Sequence, residues 1–136
     1  MFKEAKKIGY RIRRGDVFYI ESSFSTVGSE QRAGRPAVVV SNDANNEFSP
    51  TVEVVYLTTQ PKHELPTHVE INSLKRESIA LCEQITSVAV ERIGDYCGAV
   101  SNAEMSAIET AMLVSLGIET EMSREETPPH AESYSY

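Results

Sequence analysis

The chain has 136 residues, of which 40% are hydrophobic and 24% charged, a size and composition typical of one folded domain. Its net charge of −7 argues at first against nucleic-acid binding, because phosphate contacts need clustered positive charge. However, residues 101–136 carry six of the seven net negative charges, so residues 1–100 are close to neutral. The charge therefore excludes a strongly basic protein but not a local site for an anion.

The two ends of the chain are polar. Residues 1–13 predict a basic flexible arm, and residues 119–136 predict an acidic disordered tail without helical or strand periodicity. No apolar run of signal-peptide length follows the arm, and no stretch reaches the roughly 18 apolar residues that membrane-spanning helices need. Cys82 and Cys97 each lie in an apolar run typical of reduced core thiols. We therefore expect a cytoplasmic protein with no membrane span.

Short β-branched and aromatic runs, separated by Gly, Pro, Asn and Ser, predict five or six strands. Pro36 stands at the entrance of the second strand, where proline is tolerated, and the unbroken apolar run after it predicts a strand covered on both faces. The segment Asn42–Asn46 predicts a turn. The predicted strands are Asp16–Glu21, Pro36–Ser41, Val52–Leu57, Thr67–Ile71, Ser78–Ile85 and Cys97–Val100.

One helix is predicted at the end of the domain. Ser101 and Glu104 have the spacing of a capping box, and Gly117 is a typical helix stop. Four apolar residues between them fall on one face and predict packing onto the sheet: Met105, Ile108, Met112 and Leu116. The strands and this helix together predict a mainly β (α+β) fold, a small antiparallel barrel with a C-terminal helix.

The motifs of common enzyme classes are missing from the sequence. It contains no Gly-x-Ser-x-Gly, no Walker loop and no His-x-x-x-His or Cys-x-x-Cys spacing, which argues against an acyl-transfer hydrolase or a metalloenzyme. The loop Gly28–Pro36 contains two arginines and a carboxylate, and Thr58–Gln60 ends a strand that should lie near Arg35. Such a cluster can bind a phosphate. Alternatively, Arg35 forms a surface ion pair with Glu30, and the threonines only end a strand.

Five motifs, in this order and spacing, resemble those of the MazF/PemK family of toxin endoribonucleases. The resemblance covers residues 14–118 and implies an SH3-like, PemK/CcdB-like barrel that forms a homodimer. It also implies sequence-selective cleavage of single-stranded RNA without metal or cofactor, by attack of a 2′-hydroxyl on the adjacent phosphorus. The motifs are Arg14–Val17, Gly28–Gln31 followed by Arg35 and Pro36, Thr58–Gln60, Leu65–Val69 and Glu83–Ile85.

The resemblance also implies roles for single residues. Arg35 and Thr58 match catalytic positions, and an arginine suits the stabilisation of charge on phosphoryl oxygens better than proton abstraction. Glu30 is either the general base for the 2′-hydroxyl or the group that orients Arg35. Arg14 is expected to reach a phosphate, and His68 is either part of the RNA groove or structural. The matched groove positions are Ser29, Gln31, Gln60, Leu65, Pro66, His68 and Gln84.

The expected partners follow from the same resemblance. A MazE-like antitoxin would occupy the RNA groove with an acidic, apolar segment that folds on binding, and contact with DNA would occur only through that antitoxin. The alternative is a non-catalytic toxin of the same barrel fold that poisons topoisomerase, but the presence of both Arg35 and Thr58 favours the ribonuclease. The acidic run Glu119–Glu126 either competes with RNA for the groove or keeps the protein in solution.

Overall fold

The structure is a computed structural model, and it describes residues 11–22, 34–60 and 63–120. The basic arm up to Tyr10, the loop positions Ser29, Glu30 and Gln31, and the tail beyond Thr120 lie outside the described residues. In chain order the elements are β1 (Asp16–Ile20), β2 (Arg35–Val39), α1 (Asp43–Phe48), β3 (Thr51–Thr58), β4 (His68–Ile71), β5 (Ser78–Ala89), a 3-10 helix (Val90–Arg92), β6 (Ile93–Ala99) and α2 (Asn102–Leu116).

The six strands form one antiparallel sheet in the order β4-β5-β3-β2-β1-β6. The mainly β fold with a C-terminal helix is thus confirmed. The sheet is not closed, however: within the described ranges, β4 and β6 are its two edges and do not pair with each other. Neither helix in this part of the chain combines the length and the apolar character needed to cross a bilayer.

The sheet has a hydrophobic cluster on each face, and β2 contributes to both. Ala37 and Val39 belong to the first cluster and Val38 to the second, and all three are fully buried. The prediction that both faces of this strand are covered is therefore confirmed. The first cluster also contains Ile12, Phe18, Ile20, Val52, Val54, Val88, Val90 and Ile93. The second contains Val17, Val40, Val55, Leu57, Ile71, Ala80, Cys82, Ile108 and Ala111.

Helix α2 closes the second cluster over β4 and β5, and its ends are those the sequence predicts. Ser101 accepts from the Glu104 N–H, and Glu104 accepts from the Ser101 N–H, which completes the capping box. At the other end Gly117 is left-handed, with φ 71°. Ile108 is buried, but Leu116 is 59% exposed, so the prediction that Leu116 packs in the core is wrong. The last turn of the helix therefore adds little to the cluster.

Two further predictions differ from the structure. Residues 42–46 do not form a plain turn: Asn42 caps helix α1, because asparagine side chains satisfy helix N-termini as readily as they satisfy turns. Cys97 is exposed on β6 rather than buried, whereas Cys82 is buried as predicted. Both thiols are free. Burial raises the pKa of Cys82 to about 12.

Candidate functional site

The first cluster becomes polar at the end of the sheet where β2 begins and β3 ends. Ala37 of β2 lies opposite Tyr56 of β3, and Val55 lies opposite Ile85 of β5. Extending the pairing of β2 with β3 by two residues beyond Ala37 and Tyr56 puts Arg35 opposite Thr58. Because side chains alternate along a strand, Arg35 and Thr58 share the face of Ala37 and Tyr56. This register therefore brings together the two residues for which the family resemblance implies a catalytic role.

The guanidinium of Arg35 is held by two neighbours in the described part of the chain. Its Nη2 donates to Oε1 of Gln84 at 3.2 Å, and its Cζ lies 4.5 Å from the centroid of the Tyr56 ring. Tyr56 is half-buried and packs against the first cluster. The side chain of Arg35 itself is exposed. An exposed planar cation with a fixed orientation is suited to bind the oxygens of a phosphate.

Thr58 is half-buried at the last position of β3. Its Oγ1 accepts a hydrogen bond of 3.1 Å from the backbone N–H of Gln60, which turns the chain away from the strand. Since that bond uses a lone pair of the oxygen, the hydroxyl proton is left to donate. The side chain of Gln60 is exposed just beyond it.

A large bulge in β5 brings Gln84 to Arg35. Between the pairs Val55 with Ile85 and Leu57 with Ala80, the single residue Tyr56 faces the four-residue segment Leu81–Gln84. The first part of this segment pairs instead with β4 and the turn before it, where the Cys82 N–H donates to the Thr67 carbonyl at 2.9 Å. Bulges bend a strand and redirect its side chains. Here the bulge places two neighbouring polar residues, Glu83 and Gln84, in different surroundings.

The turn before β4 carries three of the predicted groove residues. The His68 N–H donates to the Leu65 carbonyl at 3.0 Å, and Pro66 takes the second position of the turn, where its fixed φ is favoured. Pro66 is exposed, and Leu65 is half-buried. The His68 ring is only 9% exposed: its Nδ1 lies 2.9 Å from the His63 carbonyl oxygen, and its Nε2 lies 3.1 Å from Oε2 of Glu83. The ring therefore bridges the His63 backbone and the Glu83 carboxylate.

Glu83 fixes this turn to β5. It accepts from the Thr67 hydroxyl at 2.8 Å as well as from His68. Burial opposes the charge of Glu83, but the hydrogen bonds from Thr67 and His68 outweigh it, so the pKa of the carboxyl lies below its usual value. The turn is thereby held by an ionised group.

Gly34 sets the approach of the chain to Arg35. A Cβ at this position would overlap the backbone carbonyl of Ile20, the residue of β1 that pairs with Arg35. Only glycine lets the two backbones come this close. Gly34 therefore lets the backbone lie directly against β1 immediately before the arginine.

Arg14 lies at the other end of the β1 and β2 pair. Its Nε donates to the Val40 carbonyl at 2.9 Å, and its Nη1 forms an ion pair of 2.8 Å with Glu109 of α2. Val40 is five residues from Arg35 along the chain, roughly 16 Å in an extended strand. The structure therefore does not bring Arg14 into the cluster around Arg35, and its contact with a phosphate stays a prediction.

The sequence did not predict a role in the site for three residues that help to build it. Tyr56 was assigned only to a strand, Gly34 only to a loop, and Glu83 only to a motif. The presence of one tyrosine among the β-branched residues of β3 was the available signal for Tyr56. Within the described ranges, no three His, Cys, Asp or Glu side chains come together in a way that could hold a metal ion.

Comparisons with known proteins cover most of the described chain. Residues 13–116 match the family described as PemK-like, MazF-like toxin of type II toxin-antitoxin system. Endoribonuclease EndoA of Bacillus subtilis (strain 168) is 38% identical over 112 residues, which are 79% of this chain and 96% of that protein.

Solved structures of similar fold lead to the same group of proteins. An endoribonuclease from Mycobacterial species is 29% identical, covers 78% of this chain and 91% of its own, and superposes with a TM-score of 0.66. An endoribonuclease in complex with its cognate antitoxin, also from Mycobacterial species, is 28% identical, covers 79% and 97% of the two chains, and has a TM-score of 0.67. The matched family range includes both Arg35 and Thr58.

Proposed function

Because this chain belongs to the PemK-like, MazF-like toxin family of type II toxin-antitoxin systems, we propose that it is an endoribonuclease that cleaves single-stranded messenger RNA. The relative that is 38% identical is named an endoribonuclease, as are two of the solved structures of similar fold. Cleavage of messenger RNA would stop translation and growth, the effect expected of a toxin. The reaction uses no metal and takes place in the cytoplasm.

The proposed reaction is an internal phosphoryl transfer. The 2′-hydroxyl loses its proton and attacks the adjacent phosphorus, the bond to the 5′-oxygen breaks, and that oxygen takes up a proton. The products are a 2′,3′-cyclic phosphate and a 5′-hydroxyl. Negative charge grows on the phosphoryl oxygens, where the guanidinium of Arg35 stabilises it and the hydroxyl of Thr58 adds a hydrogen bond.

The proton of the 2′-hydroxyl needs an acceptor. Glu30 has two candidate roles, as this general base or as a group that orients Arg35. Gln84 and Tyr56 already contact the guanidinium. The pH profile of a Glu30→Gln variant distinguishes the roles. Only loss of the general base removes the fall in kcat at low pH that protonation of the base causes.

The proposal rests on the β2–β3 register, which sets Arg35 opposite Thr58 when it is extended by two residues beyond the pair of Ala37 with Tyr56, and on the bond from the guanidinium to Gln84. Around this pair, the RNA groove is proposed to include side chains from the end of β3, the turn before β4 and the β5 bulge. Bases of single-stranded RNA would bind there through their edges. The proposed groove residues are Ser29, Gln31, Gln60, Leu65, Pro66, His68 and Gln84, with Arg14 as a phosphate contact.

The proposed partners are a second copy of this chain and a cognate antitoxin. The similar endoribonuclease from Mycobacterial species was solved in complex with its cognate antitoxin, which supports an antitoxin for this chain. We propose that a MazE-like segment covers the RNA groove and that DNA is contacted only through the antitoxin.

The test is cleavage of a long RNA in EDTA, followed by mapping of the ends. We expect cyclic phosphate and 5′-hydroxyl ends, and a loss of roughly 100- to 1,000-fold in kcat for Arg35→Ala. Arg76→Ala removes an exposed arginine from the loop between β4 and β5 and is the matched control. Absence of cleavage, or cleavage that Arg35→Ala leaves unchanged, would overturn the proposed assignment. Absence of cleavage would favour the non-catalytic toxin.

A further inference from the structure

The Tyr56 ring lies under the guanidinium of Arg35, with 4.5 Å between the ring centroid and Cζ. From this contact we infer that Tyr56 is a positioning residue, which sets the plane of the guanidinium for the phosphate. The inference rests on the proposed ribonuclease function. None of the sequence motifs includes Tyr56.

The distance is that of a cation–π contact, in which a guanidinium lies over an aromatic face within about 6 Å of its centroid. The ring is itself fixed, because Tyr56 is half-buried and packs against the first cluster. Its partner across the strands is Ala37, whose small side chain leaves room on that face for the ring. The platform is therefore part of the rigid sheet rather than of a loop.

The contact complements the hydrogen bond to Gln84. That bond fixes one nitrogen of the guanidinium at 3.2 Å but leaves the group free to rotate about the donor direction. Contact with Tyr56 opposes this rotation, since the guanidinium carbon lies over the face of the ring. Because a guanidinium binds phosphate oxygens with N–H groups in its own plane, fixing the plane fixes the direction from which the phosphate approaches.

Tyr56 positions the guanidinium through its aromatic face and not through its hydroxyl. Tyr56→Phe keeps the face and should retain kcat, whereas Tyr56→Leu keeps apolar bulk but removes the face. We expect a fall of roughly two- to fivefold in kcat for Tyr56→Leu. Phe48→Leu is the matched control, because Phe48 is 81% exposed at the end of α1 and lies outside the proposed machinery.

A double-mutant cycle separates positioning from general stability. In an Arg35→Lys background, the change Tyr56→Leu should lower kcat much less than it does beside Arg35, because lysine has no planar group to orient. Equal falls in the two backgrounds would mean that Tyr56 acts on folding alone, which overturns the inference.

Nuclear magnetic resonance of the RNA-free protein tests the contact without reference to activity. The Arg35 side-chain protons should show upfield ring-current shifts in the wild type and in Tyr56→Phe, and these shifts should disappear in Tyr56→Leu. If Tyr56→Leu does not fold, the wild-type and Tyr56→Phe spectra still decide, since unshifted Arg35 protons in both overturn the inference. Absence of RNA cleavage by the wild type overturns the proposed function itself, whereas cleavage with equal kcat in Tyr56→Leu overturns only the positioning role.

Discussion

His68 and Glu83 are joined by a bond of 3.1 Å between Nε2 and Oε2, which fixes the turn before β4 to the bulged segment of β5. The two residues are 15 positions apart in the chain. On the other side of the ring, Nδ1 bonds to the His63 carbonyl. A nearly buried imidazole thus holds the segment with Leu65 and Pro66, two of the proposed groove residues, against the sheet.

The first prediction concerns how the stabilisation of the fold by Glu83 depends on pH. The folded-state pKa of Glu83 lies below its usual value of 4.5, so the carboxylate stabilises the fold fully above about pH 4.5. That contribution is lost as the pH falls through the lower, folded-state pKa. Glu83→Gln should therefore be less stable than the wild type at neutral pH, and the difference should shrink in acid. Urea unfolding over a series of pH values measures it.

Glu70→Gln is the control for this series, because Glu70 is an exposed carboxyl on β4. A difference between wild type and Glu83→Gln that stays constant from neutral pH into acid would contradict the prediction.

The second prediction concerns Gly34. In Gly34→Ala the new Cβ would overlap the Ile20 carbonyl, so the start of β2 must shift. We expect a loss of about 1–3 kcal/mol in the free energy of unfolding, together with reduced RNA cleavage because Arg35 moves with the strand. Gly117→Ala is the matched control. The φ of 71° at Gly117 should make this change lower the free energy of unfolding by about 1 kcal/mol, but Gly117 lies far from Arg35. Unchanged stability and activity in Gly34→Ala would refute the prediction.

The third prediction concerns Arg14. Its ion pair with Glu109 and its bond to the Val40 carbonyl connect the start of β1 to α2 and to the end of β2. A double-mutant cycle of Arg14→Ala and Glu109→Gln should give a coupling of about 0.5–1 kcal/mol in urea unfolding, since both side chains are partly exposed. Zero coupling would count against the pair. The phosphate contact expected from the sequence would appear separately, as a weaker salt dependence of RNA binding in Arg14→Ala.

The fourth prediction concerns the two thiols. Cys82 is buried, and its pKa of about 12 keeps it protonated. Cys97 is exposed on β6, although partial burial and the charge of Asp95 raise its pKa too. Because the thiolate is the reactive form, iodoacetamide should modify Cys97 in the native protein and both residues in denaturant. Cys97→Ser should abolish native labelling. Mass spectrometry of the labelled peptides measures this, and labelling of Cys82 in the folded protein would show that the second cluster opens.

Local signals explain which parts of the fold were predictable. The unbroken apolar run of β2 predicted that both of its faces are covered, and the capping box with Gly117 predicted the ends of α2. Helix α1 was missed because asparagine and aspartate favour turns and helix caps alike. Strand β5 runs four residues beyond its predicted end at Ile85. The prediction ended too early because Thr86 and Ser87 are polar, although both pair with β3.

The site was predictable only in part, for a similar reason. The order of β2 and β3 along the chain predicted that Arg35 and Thr58 approach each other. The position of Gln84 relative to the guanidinium depends on the register shift in β5, where the strand pairs with both β3 and β4. No short stretch of sequence predicts that register shift, because it depends on strands that are distant along the chain.

The bulge has a consequence for how the chain can vary. Glu83 and Gln84 are joined by one peptide bond, yet the first bonds to His68 and the second to Arg35. Exchanging the two residues would keep the composition but place a carboxylate beside the guanidinium and an amide beside the imidazole. The arginine would then be neutralised by its own protein before any phosphate reached it. The order of these two neighbours, and not merely their presence, is what keeps the cation available.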